Sequence, residues 1–321
     1  MILITGGAGF IGFHMTNFLV EKGFKVHIVD DLNNFNYCSQ IKIDRLNFLK
    51  KKFQLGKDFY FSKINILNNI DLKNCFEKVK QVIHLAAYPG IRKSSLYSND
   101  YISNNILGMS NVLNNCREFN VKKIIYASSS SVYDSKTEFS EENEIINNPK
   151  NIYSFTKLSN ELLAKTYSYL FDLNCFGLRF FSVYGNFGRP DMSYYKFTDA
   201  IINEKIINLS RNGEQKRDFT HISDVINSMY KIIKSNNDSK NKIINIGSGK
   251  PIKINSLIRK IEKITGKKAK IEFDKIYKEE ALNTGSDINF GKNFYNFKFQ
   301  KNIDSGLKEF IFWFQNFNKL N

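Results

Sequence analysis

The chain has 321 residues, 42% of them hydrophobic, enough for one large or two smaller domains around a sizeable core. No apolar run approaches the roughly 18 residues that a bilayer span needs, so no membrane partner is expected. The net charge of +16 comes from lysines scattered through the sequence, as at Lys50 to Lys52 and Lys267 to Lys270; a solvated surface accounts for them, and no nucleic-acid partner is expected.

The opening residues, MILITGG, read as a buried strand and a turn with no leader-like segment before them, the pattern of a cytoplasmic protein. Short apolar runs then alternate with longer amphipathic ones. Strands are predicted at Ile2 to Thr5, Lys25 to Asp30, Phe59 to Ser62, Gln81 to Leu85, Lys123 to Ser128 and Cys175 to Phe181. Ile102, Ile106, Met109, Leu113 and Cys116 fall on one face of a predicted helix, and Tyr153 to Phe171 forms another. This alternation predicts an α/β fold, a Rossmann-type doubly wound parallel sheet with a smaller carboxyl-terminal region. The expected domains are a dinucleotide-binding one, 1–181 with 215–247 returning to it, and a substrate-binding one from 182–214 and 248–321.

Beyond residue 181 the rhythm is irregular. A Gly and Pro segment at Gly185 to Pro190 precedes a helix near Tyr194 to Glu204 and a strand at Ile243 to Ile246. Asn236 to Asn241 reads as an exposed loop. Leu307, Phe310, Ile311, Phe314 and Phe317 recur at helical spacing and are read as core. Cys38, Cys75, Cys116 and Cys175 form no CxxC pair, and His14, His27, His84 and His221 lack ligand spacing, so no metal is expected.

Gly6-Gly-Ala-Gly9-Phe-Ile-Gly12 follows a strand and opens a helix, the context in which such a pattern cradles a pyrophosphate. Gly6 permits the turn, Gly9 admits the phosphates to the backbone, and Gly12 lets helix and strand approach. Asp30 ends the second strand, where a carboxylate accepts bonds from both ribose hydroxyls of an adenosine and repels a 2'-phosphate, favouring NAD over NADP. Asp31 and Asn33 stand in the same turn; they either assist the cofactor or bond their own backbone.

Tyr153 and Lys157 lie four apart on one helix, so both side chains leave the same face. An ammonium beside a phenol favours phenolate, which would bring Tyr153 from about 10 towards neutrality and make it a base for an alcohol proton. A plain helix surface explains the same spacing. The run Ser128 to Ser131 ends the fifth strand, at the sheet edge where such folds bind ligands, and is either a set of hydroxyls for a sugar or a serine-rich turn.

TGGAGFIG, VDDLNN, HLAAYPGIR, NNILGMSNVL, YASSSSVYD, YSFTK, LRFFSVYG, GRPDM, RDFTHISDV and INIGSGKP together resemble the extended short-chain dehydrogenase/reductase family of nucleotide-sugar enzymes. Within it, AAxxGxR, SSSSVY and GRPDM are most similar to the UDP-glucuronate 4-epimerases. The resemblance implies a permanently held NAD+, Tyr153 as base, Lys157 on the nicotinamide ribose and Ser129 as hydroxyl helper. It also implies cofactor contacts from Phe10, Ile11, Ile66, Leu85, Ala86 and Ala87. Asn65 is implied near the adenine, where the usual residue is Asp, and Asn105 as support for the active-site backbone.

Phe181 is expected against the nicotinamide, Ser182 on the sugar or its carboxylate, and Arg217 on the diphosphate. The 4,6-dehydratases of the family carry Asp-Glu where this chain has Ser130 and Ser131, and its decarboxylases carry Glu at Ser131, so epimerisation is the implied activity. A 4-keto uronate is a β-keto acid. Ser129, Ser130 and Ser182, with Arg92 or Arg189, are expected to hold the carboxylate out of line for decarboxylation, although either arginine in a structural ion pair is the other reading. Tyr88-Pro89 and Lys278-Glu-Glu280 depart from the family pattern, leaving open a 4-epimerase of another sugar nucleotide, or a net dehydrogenase or 4-ketoreductase. The resemblance further implies a homodimer and a UDP-sugar destined for capsule or surface polysaccharide.

Overall fold

The computed structural model describes residues 1–133, 140, 148–235, 240–274 and 282–320. Lys278 to Glu280, and 236–239 of the loop expected at 236–241, lie outside them. In chain order the first elements are β1 (Ile2–Thr5), α1 (Phe10–Glu21), β2 (Val26–Asp30), α2 (Gln40–Lys52), β3 (Phe59–Lys63), α3 (Asn69–Asn74) and β4 (Gln81–His84). They continue with α4 (Ile91–Ser94), α5 (Ser98–Ile102), α6 (Gly108–Glu118), β5 (Lys123–Ser129), α7 (Ile152–Phe171) and β6 (Asn174–Phe180). After these come β7 (Ser182–Tyr184), α8 (Ser193–Ile202), β8 (Ile206–Ser210), β9 (Lys216–Arg217), β10 (Phe219–His221) and α9 (Ile222–Lys234). The remainder are β11 (Asn241–Ile246), β12 (Ile252–Lys253), α10 (Ile254–Thr265), β13 (Lys270–Asp274), α11 (Asn289–Tyr295) and α12 (Ile303–Leu320).

The main sheet runs β11-β6-β5-β4-β1-β2-β3, seven strands with parallel pairing from β5 through β4, β1 and β2 to β3. This is the doubly wound Rossmann-type architecture the sequence predicts, with β11 as a seventh strand at one edge. The central strands are short continuous apolar runs; every residue of Ile2–Thr5 is buried, as a strand with helices on both faces requires. Leu3, Val29, Val82 and Ile124 pack with Met109, Leu113 and Cys116 of α6 in one core.

Two compact units divide the chain. The first comprises Met1–Val132, Ile145–Arg179 and Ile232–Ile244, the second Tyr133–Glu144, Phe180–Lys231 and Asn245–Asn321. The later segment that belongs with the first unit is Ile232–Ile244. In the second unit, Leu307, Phe310, Ile311 and Phe314 of α12 close over Leu257, Ile258 and Ile261 of α10 and Tyr194 of α8, a packing core as expected. Cys75, Cys116 and Cys175 are buried, Cys38 is exposed, and none is joined in a disulfide. Among the described residues no helix is long and apolar enough to cross a membrane.

The predicted helix through Ile102 and Cys116 is interrupted. Ser103–Leu107 form a π turn between α5 and α6, which widens the helix by about one residue per turn and rotates what precedes it. Met109, Leu113 and Cys116 stay buried, but Ile102 is 39% exposed, off the face the spacing assigned to it. In exchange, Asn104 and Asn105 turn inward.

Candidate active site

β1 delivers the chain to Gly6, whose φ of +70° opens the turn. Its N–H donates to the Val29 carbonyl at 2.7 Å, and Gly9 N–H donates back to the Gly6 carbonyl at 3.0 Å. A Cβ at Gly6 would stand 2.6 Å from the Ala86 nitrogen, and one at Gly12 would collide with the Gly6 carbonyl. Only bare backbone permits this approach. Gly9 caps α1 with no side-chain bond, and no acidic residue occupies the first turn, so the N–H groups and positive end of the helix dipole are available to an anion. Phe10 and Ile11 open α1, Phe10 being buried and Ile11 half-buried. The cradle thus fits a pyrophosphate.

Asp30 is buried at the end of β2. Its Oδ2 accepts from Ala8 N–H at 3.1 Å, its Oδ1 accepts from Leu32 N–H at 2.9 Å, and Lys42 lies 3.6 Å from Oδ1. Burial pushes its carboxyl upward, and Lys42 with the two N–H groups pulls it back. Each oxygen retains acceptor capacity for a ribose hydroxyl. Asp31 and Asn33 form the local turn that was one of the two readings: Asp31 Oδ1 accepts from Asn33 N–H at 3.1 Å and Asn33 Oδ1 from Phe35 N–H at 3.0 Å. Asn65 joins them, donating to Asp31 Oδ2 at 3.1 Å. Ile66 is a core residue packed against Gly108. Leu85, Ala86 and Ala87 line the half-buried stretch after β4, where Leu85 N–H donates to the Thr5 carbonyl at 3.0 Å.

The helix α7 begins one residue before Tyr153, capped by Asn151, whose Oδ1 accepts from Ser154 N–H at 2.8 Å. The helix packs on β5 and on the 3-10 turn Ser130–Val132 that follows it. Lys157 Nζ sits 5.9 Å from the Tyr153 ring centre and donates to the Ala127 carbonyl at 2.8 Å. Burial pulls the Lys157 ammonium down to about 8, against an upward pull from the Glu161 carboxylate one turn further on. Ser129 is buried, its Oγ accepting from Ser131 N–H at 3.1 Å, and Ser130 is half-buried.

Asn105, turned inward by the π turn, brackets both sides of this site. Its Oδ1 accepts from Tyr88 N–H at 2.7 Å, and its Nδ2 donates to the Tyr88 carbonyl at 3.1 Å and to Thr156 Oγ1 at 3.1 Å. Thr156 in turn donates to the Tyr153 carbonyl at 2.8 Å. Arg92, on α4, is exposed.

The second unit carries the other expected residues. Ser182 N–H donates to the Asp218 carbonyl at 2.9 Å. Phe181 is buried, and its N–H donates to the Ile246 carbonyl at 3.1 Å. Arg217 donates from Nη1 to the Lys216 carbonyl at 2.8 Å and to the Leu282 carbonyl at 3.3 Å. Arg189 forms a bidentate pair with Asp191, 3.0 Å from Nε and 2.5 Å from Nη2. Burial works to raise Asp191, but the charge and hydrogen bond of Arg189, with a backbone N–H and Lys196, together hold the carboxyl low. Of the two readings of Arg189, this geometry is that of the structural ion pair.

Three features of the first unit were not read from sequence. Arg45 of α2 is fully buried and donates to the Ala8 carbonyl at 3.0 Å, bracing the glycine turn from below. His84, at the end of β4, is hydrogen-bonded with Thr5 Oγ1 at 2.7 Å and driven down to about 3 by burial and by the Lys157 charge, so its imidazole is neutral. Glu161 forms a buried bidentate pair with Arg179, at 2.9 and 2.7 Å, and accepts from Ser128 Oγ at 2.5 Å. Its position eight residues beyond Tyr153 on the same helix face was the available signal.

A parallel sheet that joins this cradle to a tyrosine and lysine couple belongs to the dinucleotide-dependent enzymes working at hydroxyl-bearing carbon. The model of the NAD dependent epimerase/dehydratase family matches residues 2–247, and the chain belongs to that family. It is 39% identical to a UDP-glucuronate 4-epimerase of Thermodesulfobacterium geofontis, over 97% of this chain and 95% of the relative. It is 36% identical to protein CapI of Staphylococcus aureus over 99% of each. Its fold matches the crystal structure of UDP-glucuronic acid 4-epimerase from Bacillus cereus in complex with UDP-glucuronic acid and NAD. That match has a TM-score of 0.92 at 30% identity and covers 98% of this chain and 99% of the other.

Proposed function

We propose that the protein interconverts UDP-glucuronate and UDP-galacturonate by inverting C4. One observation of the fold carries the reading: α7 packs on β5, and Lys157 of the Tyr153 couple is bonded to Ala127, two residues before Ser129, in the same sheet whose first strand feeds the glycine cradle. NAD+ held by Gly6, Gly9, Phe10, Ile11 and Gly12, with Asp30, Asp31, Asn33 and Asn65 at the adenosine end and Leu85, Ala86, Ala87 and Asn105 beyond, supplies the hydride acceptor and donor for C4. Tyr153 takes the proton of the C4 hydroxyl and later returns it to the opposite-handed oxygen. Lys157 favours the phenolate, and Ser129 orients the C4 oxygen.

The 4-keto uronate loses carbon dioxide if its C5–C6 bond aligns with the carbonyl. Hydroxyls of Ser129 and Ser130 and the charge of Arg92 hold the carboxylate out of that alignment. Ser182 and Arg217 remain sugar and diphosphate contacts by motif; Arg189 is already bound to Asp191. Protein incubated with UDP-glucuronate and no added NAD should yield UDP-galacturonate in an NMR time course without accumulating reduced cofactor. A chain that leaves UDP-uronates unchanged but interconverts UDP-N-acetylhexosamines would overturn the uronate assignment.

A homodimer accompanies this proposal. On α7, Phe155, Leu162 and Tyr169 recur seven apart and are 43%, 60% and 85% exposed, an apolar stripe suited to a partner helix. Sedimentation should give twice the chain mass, and a monomer at micromolar concentration would refute it. The free thiols and a UDP-sugar substrate suit the cytosol, and the likeness to CapI supports a role in capsule or surface polysaccharide.

A further inference from the structure

The glycine turn follows β1, which lies between β4 and β2 in the sheet. The segments that leave β2 and β4 flank the cradle on either side. They meet: the Phe35 ring, beyond β2, stacks on the Tyr88 ring, beyond β4, with centres 3.9 Å apart and planes 8° from parallel. Tyr97 and Tyr101 hold the edge of the same stack, at 5.5 and 5.8 Å from the Phe35 centre. Polar bonds run beside it, Asn36 Nδ2 to the Pro89 carbonyl at 2.6 Å and Lys93 Nζ to the Phe35 carbonyl at 2.7 Å.

These contacts link the two flanking segments into a closed loop that includes the glycine turn. Ala8 of the glycine turn is bonded to Asp30, the chain continues from Asp30 to Phe35, Phe35 stacks on Tyr88, and Ala86, two residues before it, abuts Gly6. Rings stacked at this distance admit nothing between them. Tyr88 is also fixed from behind by both Asn105 bonds, so the stack has one rigid side and one side, the loop 31–39, that lacks helix or strand.

We propose that Phe35 and Tyr88 form an aromatic clasp that retains the cofactor, so that a dinucleotide leaves only when the loop carrying Phe35 swings off Tyr88. The proposal rests on the cradle holding NAD, and it explains what an enzyme with no net redox change requires. Such an enzyme gains nothing from cofactor exchange, and one that released a reduced cofactor in mid-reaction would strand the keto sugar.

The test loads the protein with NADH and follows the loss of its bound fluorescence after a chase with excess NAD+. Phe35→Ala and Tyr88→Ala should each speed release by about tenfold, the value of one aromatic pair, and the double variant should be no faster than the faster single one. Phe35→Tyr should restore slow release. Lys93→Ala, a surface change that spares the core, should accelerate release in the same direction and serves if the aromatic variants misfold. Release from Phe35→Ala and Lys93→Ala as slow as from the parent would overturn the clasp. A parent that binds no NADH would instead overturn the cofactor reading beneath it.

Discussion

Tyr153→Phe should lower kcat by about a thousandfold, within the range by which a positioned acid or base accelerates proton transfer. The substitution removes one oxygen and little else. The ring keeps its edge contact with Tyr101, centres 6.3 Å apart, and its backbone carbonyl keeps the bond from Thr156 that Asn105 supports. Lys157 keeps its bond to Ala127, so the ammonium is not set loose. Retention of NAD and the thermal midpoint should therefore be unchanged while product formation, followed by NMR, nearly stops. A variant with more than a tenth of parental kcat would mean that another group accepts the C4 proton.

The ends of β1 to β6 were legible to within a residue because each is built on a short apolar run, whereas β11 begins two residues before the expected Ile243. Phe59–Lys63 and Lys123–Ser129 extend the expected bounds by a single residue. The couple at Tyr153 and Lys157 was legible for a similar reason, since a four-residue step on a helix fixes a shared face without tertiary information. What escaped was long-range or geometrically irregular. Nothing in Ser103 to Leu107 marks a π turn, yet that turn brings Asn105 to Tyr88 and Thr156. Phe35 and Tyr88 lie far apart along the chain, and only the order β4-β1-β2 makes them neighbours. Nothing in the sequence around Arg45 marks it, yet it is fully buried and bonded to Ala8.

Glu161→Gln should destabilise the fold by about 3–5 kcal/mol and also move the alkaline limit of activity to lower pH. The first effect follows from burial: Glu161 and Arg179 are 7% and 6% exposed, and an amide cannot match both guanidinium donors, because its own NH2 faces one of them. Arg179 is then left charged in the interior. The second effect passes through Lys157. Burial already holds its ammonium near 8, and the Glu161 charge is what pulls it upward. With that charge gone, Lys157 loses its proton at a lower pH, and with it the cation that favours the Tyr153 phenolate. In the parent, kcat should fall as pH rises through about 8; in Glu161→Gln the fall should begin earlier. Stability responds in the opposite sense, because the folded value lies below the unfolded 10.5. Between about 8 and 10.5 the unfolded chain binds the additional proton, so Lys157 makes the fold more stable as pH rises across that window. Urea melts at fixed pH and a pH profile of kcat separate the two effects. Glu161→Asp, which keeps the charge, should restore the alkaline limit even if it recovers only part of the stability. An unshifted limit in Glu161→Gln would reduce the buried pair to a purely structural brace.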